Sequence, residues 1–285
     1  MFDKVAPLAI DRAAMTSADI LTYSQATLLL IGAIAWVVAL RKGRVHRWLD
    51  APDRLPPWLI SGSDFLLFGL LLVVFLSLGP VLAMRLFDIQ VSSEPTVRDT
   101  LIQGFSFQLS RLAACLLFRV HPHGNPPPGT GFHLSAISVG VKSFIYVIPV
   151  FTALAALSYW VIEALGFDAA PQDLIESFRA AKSLGEVALL IVLAVFIAPV
   201  TEELVFRAGL FRFFQARIPT MWAMGISSIL FGLLHQNAMS FLPLVMLGCV
   251  FCALFQKTGR LASSIALHAL FNLNSVLVIF FGPEP

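Results

Sequence analysis

The chain has 285 residues, of which 58% are hydrophobic and only 13% are charged, and its mean hydropathy is +0.85. A soluble domain carries about 25% charged residues, so this composition excludes an ordinary soluble protein and predicts a helical membrane protein. The net charge of +2 and the absence of a basic run with interleaved aromatic residues give no sign of nucleic-acid binding.

Eight segments are long and apolar enough to cross a bilayer, for which a helix needs about 20 apolar residues. They lie near residues 22–40, 65–84, 101–118, 144–163, 186–206, 219–236, 240–256 and 261–281. The third is the least regular, because Gln103, Gln108 and Arg111 interrupt it. We therefore expect an all-α, polytopic transmembrane bundle of about eight spans in the lipid bilayer.

Basic residues in the short loops predict the orientation of these spans. The first loop, RKGRVHRWLDAPDR, is strongly basic, and further Arg and Lys side chains lie around residues 207–218 and 257–260. With eight spans, all of these loops fall on one side, which should be the cytoplasm, and both termini face outward. In a bacterium the protein would lie in the inner (plasma) membrane. The N-terminal residues lack the pattern of a cleaved signal peptide.

A linker rich in Pro, Gly and His, FRVHPHGNPPPGTGF (118–132), divides the chain. We expect an N-terminal region, 1–140, with about three spans and no readable role. The membrane domain that follows, 141–285, carries the unusual polar residues. His121, His123 and His133 could in principle bind a metal, but the HPH sequence is more typical of a solvated loop than of a metal site.

Four ionisable residues stand out in the last spans. Between residues 187 and 283 the only acidic residues are Glu202 and Glu203, and the only histidines are His235 and His268. All four lie in or at the end of apolar segments, where a charged side chain costs about 2.5–3.5 kcal/mol. Such residues are usually functional, so we expect the catalytic core in the four C-terminal spans.

Helical spacing assigns the two glutamates different roles. Glu203 and Arg207 are four residues apart and share one face, so they can form an ion pair. Glu202 points about 100° away, so we expect it to be unpaired and to face the bundle interior. Glu203 is therefore predicted to be structural and Glu202 to be chemical.

Two further helical faces can reach Glu202. His268 and Asn272 are four residues apart on the last span, and Phe231 lies one turn before His235. If the fifth span continues as a helix to a turn near residue 218, Glu202 and His235 lie about equally far from that turn. The two side chains then have similar depth in the membrane.

These residues suffice for the attack of water on an amide carbonyl. Glu202 can accept a proton from water, and His235 can share that proton or orient the water. His268 and Asn272 can donate hydrogen bonds to the developing oxyanion. The alternative is that these groups only hold helices together, as polar residues do in many bundles. Four ionisable groups on three spans favour a function instead.

The motifs EELVFR (202–207), FGLLH (231–235) and HALFN (268–272) occur in this order on three different predicted spans. They resemble the EExxxR, FxxxH and HxxxN motifs of the CPBP intramembrane proteases, which include the type II CAAX prenyl endopeptidases and Abi-type relatives. The resemblance covers residues 186–281, whereas residues 1–140 resemble nothing that informs their role.

The resemblance implies glutamate-dependent hydrolysis of a peptide bond inside the membrane. Glu202 would activate water with the help of His235, and His268 and Asn272 would form the oxyanion site. Three further residues would support the motifs: Glu203, Arg207 and Phe231.

No cofactor is expected for this chemistry. Some members of the family have been described as metalloproteases, and Glu202, His235 and His268 could hold zinc. However, the HExxH motif is absent and Arg207 beside the site opposes a cation, so we favour a site without metal.

Two other functions stay open from the residues alone. A catalytically silent binder or regulator, of the bacteriocin-immunity or scaffold type, could hold a partner helix in the same pocket. A transporter could use the buried acids and histidines as a proton relay, but the chain lacks the repeated halves of such proteins. We expect an endopeptidase that acts on a membrane-associated peptide or protein.

Overall fold

The computed structural model describes residues 16–90, 95–120, 133–166 and 173–281, and within these ranges the chain is helical and contains no β-strand. The linker histidines His121 and His123 lie outside the described residues. The helices are α1 (Ser17–Arg41), α2 (Arg44–Asp50), α3 (Gly62–Leu86), α4 (Val97–Arg119), α5 (Leu134–Ala164), α6 (Asp173–Ala180), α7 (Leu184–Gln215), α8 (Thr220–Leu233), α9 (Ala238–Thr258) and α10 (Leu261–Phe281).

Seven of the described helices are long and apolar enough to span a membrane, namely α1, α3, α4, α5, α7, α9 and α10. The remaining predicted span corresponds to α8, an apolar helix of 14 residues. The structure confirms an integral membrane protein built as an all-α bundle, and it is consistent with about eight spans, one of which is short.

Four of the long helices begin with a capping box, in which a Ser or Thr side chain and an acid three residues later satisfy each other's backbone amides. The pairs are Thr16–Asp19 in α1, Ser61–Asp64 in α3, Thr96–Asp99 in α4 and Ser183–Glu186 in α7. These caps satisfy amide groups at the helix ends and fix where each of the four spans begins.

Helix α5 begins at Leu134, well before the apolar segment 144–163 that predicted it. Ala136 and Gly140, one turn apart, are buried, and a side chain at position 140 would collide with the Ser263 carbonyl of α10. Tight packing against α10 accounts for the extension of the helix beyond its apolar span. The boundary drawn at residue 140 therefore falls inside one continuous helix, and the different roles of the two regions stay a prediction.

The core around the last helices is aromatic. Phe206 of α7, Phe231 of α8, Phe251 of α9 and Phe271 of α10 belong to one buried cluster, which Val147 joins from α5. The three motif-bearing helices are thus packed around shared rings, so their polar side chains are held close to one another.

Helix α4 belongs to the same bundle although it precedes the motifs by many residues. Leu101 of α4 packs in a buried cluster with Leu190 and Ala194 of α7 and Val276 of α10. This contact places one face of α4 against the segment of α7 that leads into the glutamates.

Candidate active site

The motif EELVFR lies in an irregular part of α7. A short α-helical stretch, Ala198–Glu203, is flanked by π-helical turns at Val192–Ile197 and Leu204–Phe211. Pro199, which has no amide hydrogen to donate, lies at the start of this stretch. Turns of this type are rare and occur frequently at functional sites. The helix nevertheless continues to Gln215. The prediction that Glu202 and His235 have similar depth in the membrane required this continuation.

Glu203 and Arg207 form the buried ion pair predicted from their spacing. Arg207 Nη1 lies 3.1 Å from Glu203 Oε1, and both side chains are 0% exposed. The guanidinium carbon lies 4.5 Å from the centroid of the Phe231 ring and 4.8 Å from that of Phe251. These cation–π contacts offset part of its lost hydration, so the ion pair and the two rings form one buried unit.

His268 lies between the two glutamates. Its Nδ1 is 3.2 Å from Glu203 Oε1, and its Nε2 is 3.8 Å from Glu202 Oε2. The imidazole is stacked on Phe251, with ring centroids 4.9 Å apart. Because a carboxylate only accepts hydrogen bonds, Nδ1 is the donor to Glu203. Glu203 therefore orients His268 so that Nε2 points toward Glu202.

Glu202 has a partner that the sequence analysis did not predict. It is separated from Arg207, as expected, but it is not unpaired, because Arg111 Nη1 of α4 lies 2.9 Å from Glu202 Oε1. These side chains are only 8% and 10% exposed. The same Arg111 nitrogen donates to Gln108 Oε1 at 3.1 Å, and the Thr201 hydroxyl donates to that oxygen. The expectation of an unpaired carboxylate was wrong.

The sequence contains one signal for this contact. Gln108 and Arg111 are three residues apart on the least regular span, so they form a polar face on an otherwise apolar helix. They lie outside the three motifs, and nothing in their spacing connects them with Glu202. A helix of the N-terminal region thus supplies the ion-pair partner of Glu202.

His235 lies just beyond the end of α8. Its Nδ1 is 2.7 Å from the Phe231 carbonyl oxygen, which can only accept a hydrogen bond. In the neutral imidazole, Nε2 is then an acceptor. His235 is half-buried. Its ring lies 4.7 Å from that of Phe231, which also contacts the His268 ring at 5.8 Å between centroids. That His235 and Glu202 share a depth stays a prediction. Among the described contacts, His235 forms no hydrogen bond with either glutamate.

The Asn272 amide is turned toward the backbone of α7. Its Nδ2 donates to the Ala194 carbonyl oxygen at 2.7 Å, and Ala194 belongs to the first π-helical turn. This bond ties α10 to the irregular backbone and uses one of the two N–H groups of the amide. The role of Asn272 in an oxyanion site stays a prediction.

Within the described part of the chain, no group of three or more His, Cys, Asp and Glu side chains is arranged to hold a metal ion. The residues considered above as zinc ligands, Glu202, His235 and His268, do not form such a group. Arg111 also adds a second guanidinium beside the carboxylates.

These features define a polytopic membrane protein with carboxylate and histidine side chains gathered inside its helical bundle. Residues 184–274 match the model of the family described as type II CAAX prenyl endopeptidase Rce1-like. All three motifs fall inside this match, which confirms the resemblance that they predicted.

One curated relative agrees with the family match. The Bacillus subtilis strain 168 protein named "Putative membrane peptidase YdiL" is 28% identical over 99 residues. The aligned segment is 35% of this chain and 39% of that protein, so the chain spans about two fifths of the relative's length. No solved structure matches the chain significantly. The C-terminal part of the chain is therefore similar to membrane proteases.

Replacement of Arg111 by Gln is expected to lower peptide hydrolysis about 100-fold, the scale of a 1 Å misplacement in an active site. Loss of the guanidinium leaves the Glu202 carboxylate buried without its countercharge. Arg111→Lys keeps the charge and should restore much of the activity, which a purely space-filling role would not produce. Arg119→Gln, at the exposed end of α4, is the matched control. Equal activity of the Gln and Lys variants at position 111 would contradict this role.

Proposed function

We propose that this protein is a membrane-embedded endopeptidase that hydrolyses a peptide bond of a membrane-associated peptide or protein. The observation that carries the proposal is the arrangement of Glu202 in a segment similar to a protease family. Arg111 donates a hydrogen bond to Oε1 of Glu202. The other carboxylate oxygen, Oε2, lies 3.8 Å from His268 Nε2. This distance is too long for a direct hydrogen bond and suits a bridging water.

In the proposed reaction, Glu202 Oε2 accepts a proton from this water while the water oxygen attacks the carbonyl carbon of the peptide. The second N–H of Asn272 donates a hydrogen bond to the oxyanion of the tetrahedral intermediate. His268 adds a second one from Nε2 when both of its ring nitrogens carry a proton, because Nδ1 already donates to Glu203. The proton held by Glu202 then passes to the amide nitrogen as the C–N bond breaks. The products are a new carboxyl terminus and a new amino terminus, and Glu202 returns to its carboxylate form.

The other residues of the site position the water and His268. His235, whose Nε2 is free to accept, assists Glu202 in orienting the water. Glu203 fixes the His268 ring through Nδ1, and Arg207 neutralises Glu203. Substitution of Glu202 by Gln tests the proposal, because Gln keeps the shape of the side chain and removes the proton acceptor.

Purified, active protein is expected to contain substoichiometric zinc and to retain its activity in EDTA and phenanthroline. The proposed reaction uses a carboxylate and histidines, and Arg111 and Arg207 close to the carboxylates disfavour a bound cation. Elemental analysis and chelator titration measure this directly. Stoichiometric zinc, together with inactivation that only added metal reverses, would make Glu202, His235 and His268 metal ligands instead.

We further propose that the site opens to the cytoplasm and that both termini face outward. The segment that follows the basic helix α2 accepts hydrogen bonds from Arg212 and Arg217, close to the end of α7. Leu184, at the other end of α7, is 86% exposed. In a variant without Cys115, Cys249 and Cys252, a cysteine at Leu184 should react with an impermeant thiol reagent in intact cells. A cysteine at Arg47 of α2 should react only after the membrane is opened. The reverse pattern of labelling would invert the orientation.

A further inference from the structure

A cavity of about 510 Å³ lies at one end of the bundle, away from the glutamates. It is formed where α5 begins, where α9 turns into α10, and where the segment after α2 folds back over the bundle. Its volume falls within the range of about 300–1,000 Å³ typical of small-molecule sites. This cavity has no part in the proposed peptide hydrolysis.

The charge of the cavity is positive. Arg54 and Arg260 line it together with His133, and none of its lining residues is acidic. The nearest acid along the chain, Asp53, is already engaged, because Lys257 Nζ lies 3.0 Å from Asp53 Oδ1. Among the described ion pairs, neither Arg54 nor Arg260 has a carboxylate partner. The two guanidinium groups are therefore available to an anion.

The backbone holds both arginines in place. The Arg54 amide donates to the Gln256 carbonyl oxygen at 3.0 Å. Gly259 has a φ of +65° and lies so close to the Arg54 carbonyl that an added Cβ would be 2.8 Å from its oxygen. The Arg260 carbonyl accepts hydrogen bonds from the hydroxyl groups of Thr258 and Ser263. The segment after α2 is thus fastened to the α9–α10 turn, so the main chain that carries the two arginines is held in place.

The remaining lining residues indicate which kind of anion fits. Ala136 and Val139 of α5 and Pro56 give the cavity an apolar wall. The N-terminus of α5 contributes Ser135, and the N-cap residue before it, His133, makes no side-chain capping bond. A helix N-terminus favours a phosphate group, and guanidinium groups bind phosphate oxygens in pairs. An apolar wall beside such a group suits the glycerol and first methylenes of a lipid.

We propose that this cavity binds a phosphate group, and that its occupant is the headgroup of an anionic phospholipid in the adjacent leaflet. The cavity lies where three spanning helices begin or end, which is the depth of lipid phosphates. Basic pockets between transmembrane helices bind anionic headgroups in this way. With the orientation proposed above, the leaflet is the cytoplasmic one.

Native mass spectrometry of the full chain with added phosphatidylglycerol or phosphatidylcholine tests this proposal. The wild-type protein should retain one phosphatidylglycerol in preference to phosphatidylcholine. The double variant Arg54→Gln/Arg260→Gln should bind it about thirtyfold more weakly. The matched control, Arg44→Gln/Arg47→Gln, removes the same charge from exposed positions of α2 and should bind like the wild type. Equal retention of the two lipids, or an equal loss in both double variants, overturns the proposal.

A second variant tests lipid binding in the cavity if the double variant does not fold. Ser135→Trp, at an exposed position of the cavity wall, fills the space and leaves both arginines in place, so phosphatidylglycerol retention should fall. Unchanged retention overturns the proposal. The last experiment adds inorganic phosphate to the protein. If phosphate binds alone and displaces the lipid, the phosphate site is supported and its occupant is free phosphate. Failure to displace the lipid supports the headgroup.

Discussion

Glu203→Gln is expected to lower the free energy of unfolding by about 3–5 kcal/mol, the effect of removing one partner from a buried ion pair. The substitution leaves the Arg207 guanidinium charged, 0% exposed and surrounded by Phe231 and Phe251. It also removes the acceptor that orients His268. The loss can be measured as a fall in the midpoint of denaturant unfolding in detergent.

A double-variant cycle separates this pair from general damage to the core. Arg207→Gln alone should be about as destabilising as Glu203→Gln, because each leaves the other charge buried. The combination Glu203→Gln/Arg207→Gln should be less destabilising than the sum of the two single variants. Additive losses would show that the two side chains do not depend on each other in the folded protein.

Glu202→Gln is expected to abolish peptide hydrolysis and to lower the unfolding midpoint less than Glu203→Gln does, because the Arg111–Glu202 pair keeps some contact with solvent whereas the Glu203–Arg207 pair has none. Gln cannot accept a proton from water, so the step that makes water a nucleophile is lost. The Glu202 side chain is 10% exposed whereas that of Glu203 is 0% exposed, so water can screen part of the charge left on Arg111. Glu202→Gln should therefore disturb the fold less than Glu203→Gln does.

Two companion variants sharpen this result. Glu202→Asp keeps a carboxylate but withdraws it by one methylene, so it should keep a small part of the activity. Glu163→Gln removes an acid from an exposed position near the end of α5 and should match the wild type in every respect. A Glu202→Asp protein as inactive as Glu202→Gln would mean that position matters as much as charge.

The spans and the Glu203–Arg207 pair could be predicted because each depends on residues close together in the chain. Hydropathy over about 20 residues identifies a membrane helix, and four-residue spacing identifies side chains that share a face. The same local argument predicts that His235 lies at the depth of Glu202, and the helix that this prediction required does continue from residue 202 to Gln215.

The contact of Arg111 with Glu202 could not be predicted in this way. The two residues are 91 positions apart, and no periodicity in the sequence says which face of α4 packs on α7. Likewise, the bond from Asn272 to the Ala194 carbonyl depends on a π-helical turn, for which the local sequence gives no simple pattern. The spacing correctly predicted that Glu202 does not pair with Arg207, but it could not exclude an ion pair with another cation, Arg111.

The measurement that tests the central proposal most directly is N-terminal proteomics of cells that contain either the wild-type protein or Glu202→Gln at equal levels in the membrane. The proposal predicts that a set of membrane-associated peptides is cut in cells with the wild type and with Glu163→Gln, and accumulates uncut in cells with Glu202→Gln. Identical new N-termini in all three samples, with the Glu202→Gln protein folded and abundant, would contradict hydrolysis by a water that Glu202 activates.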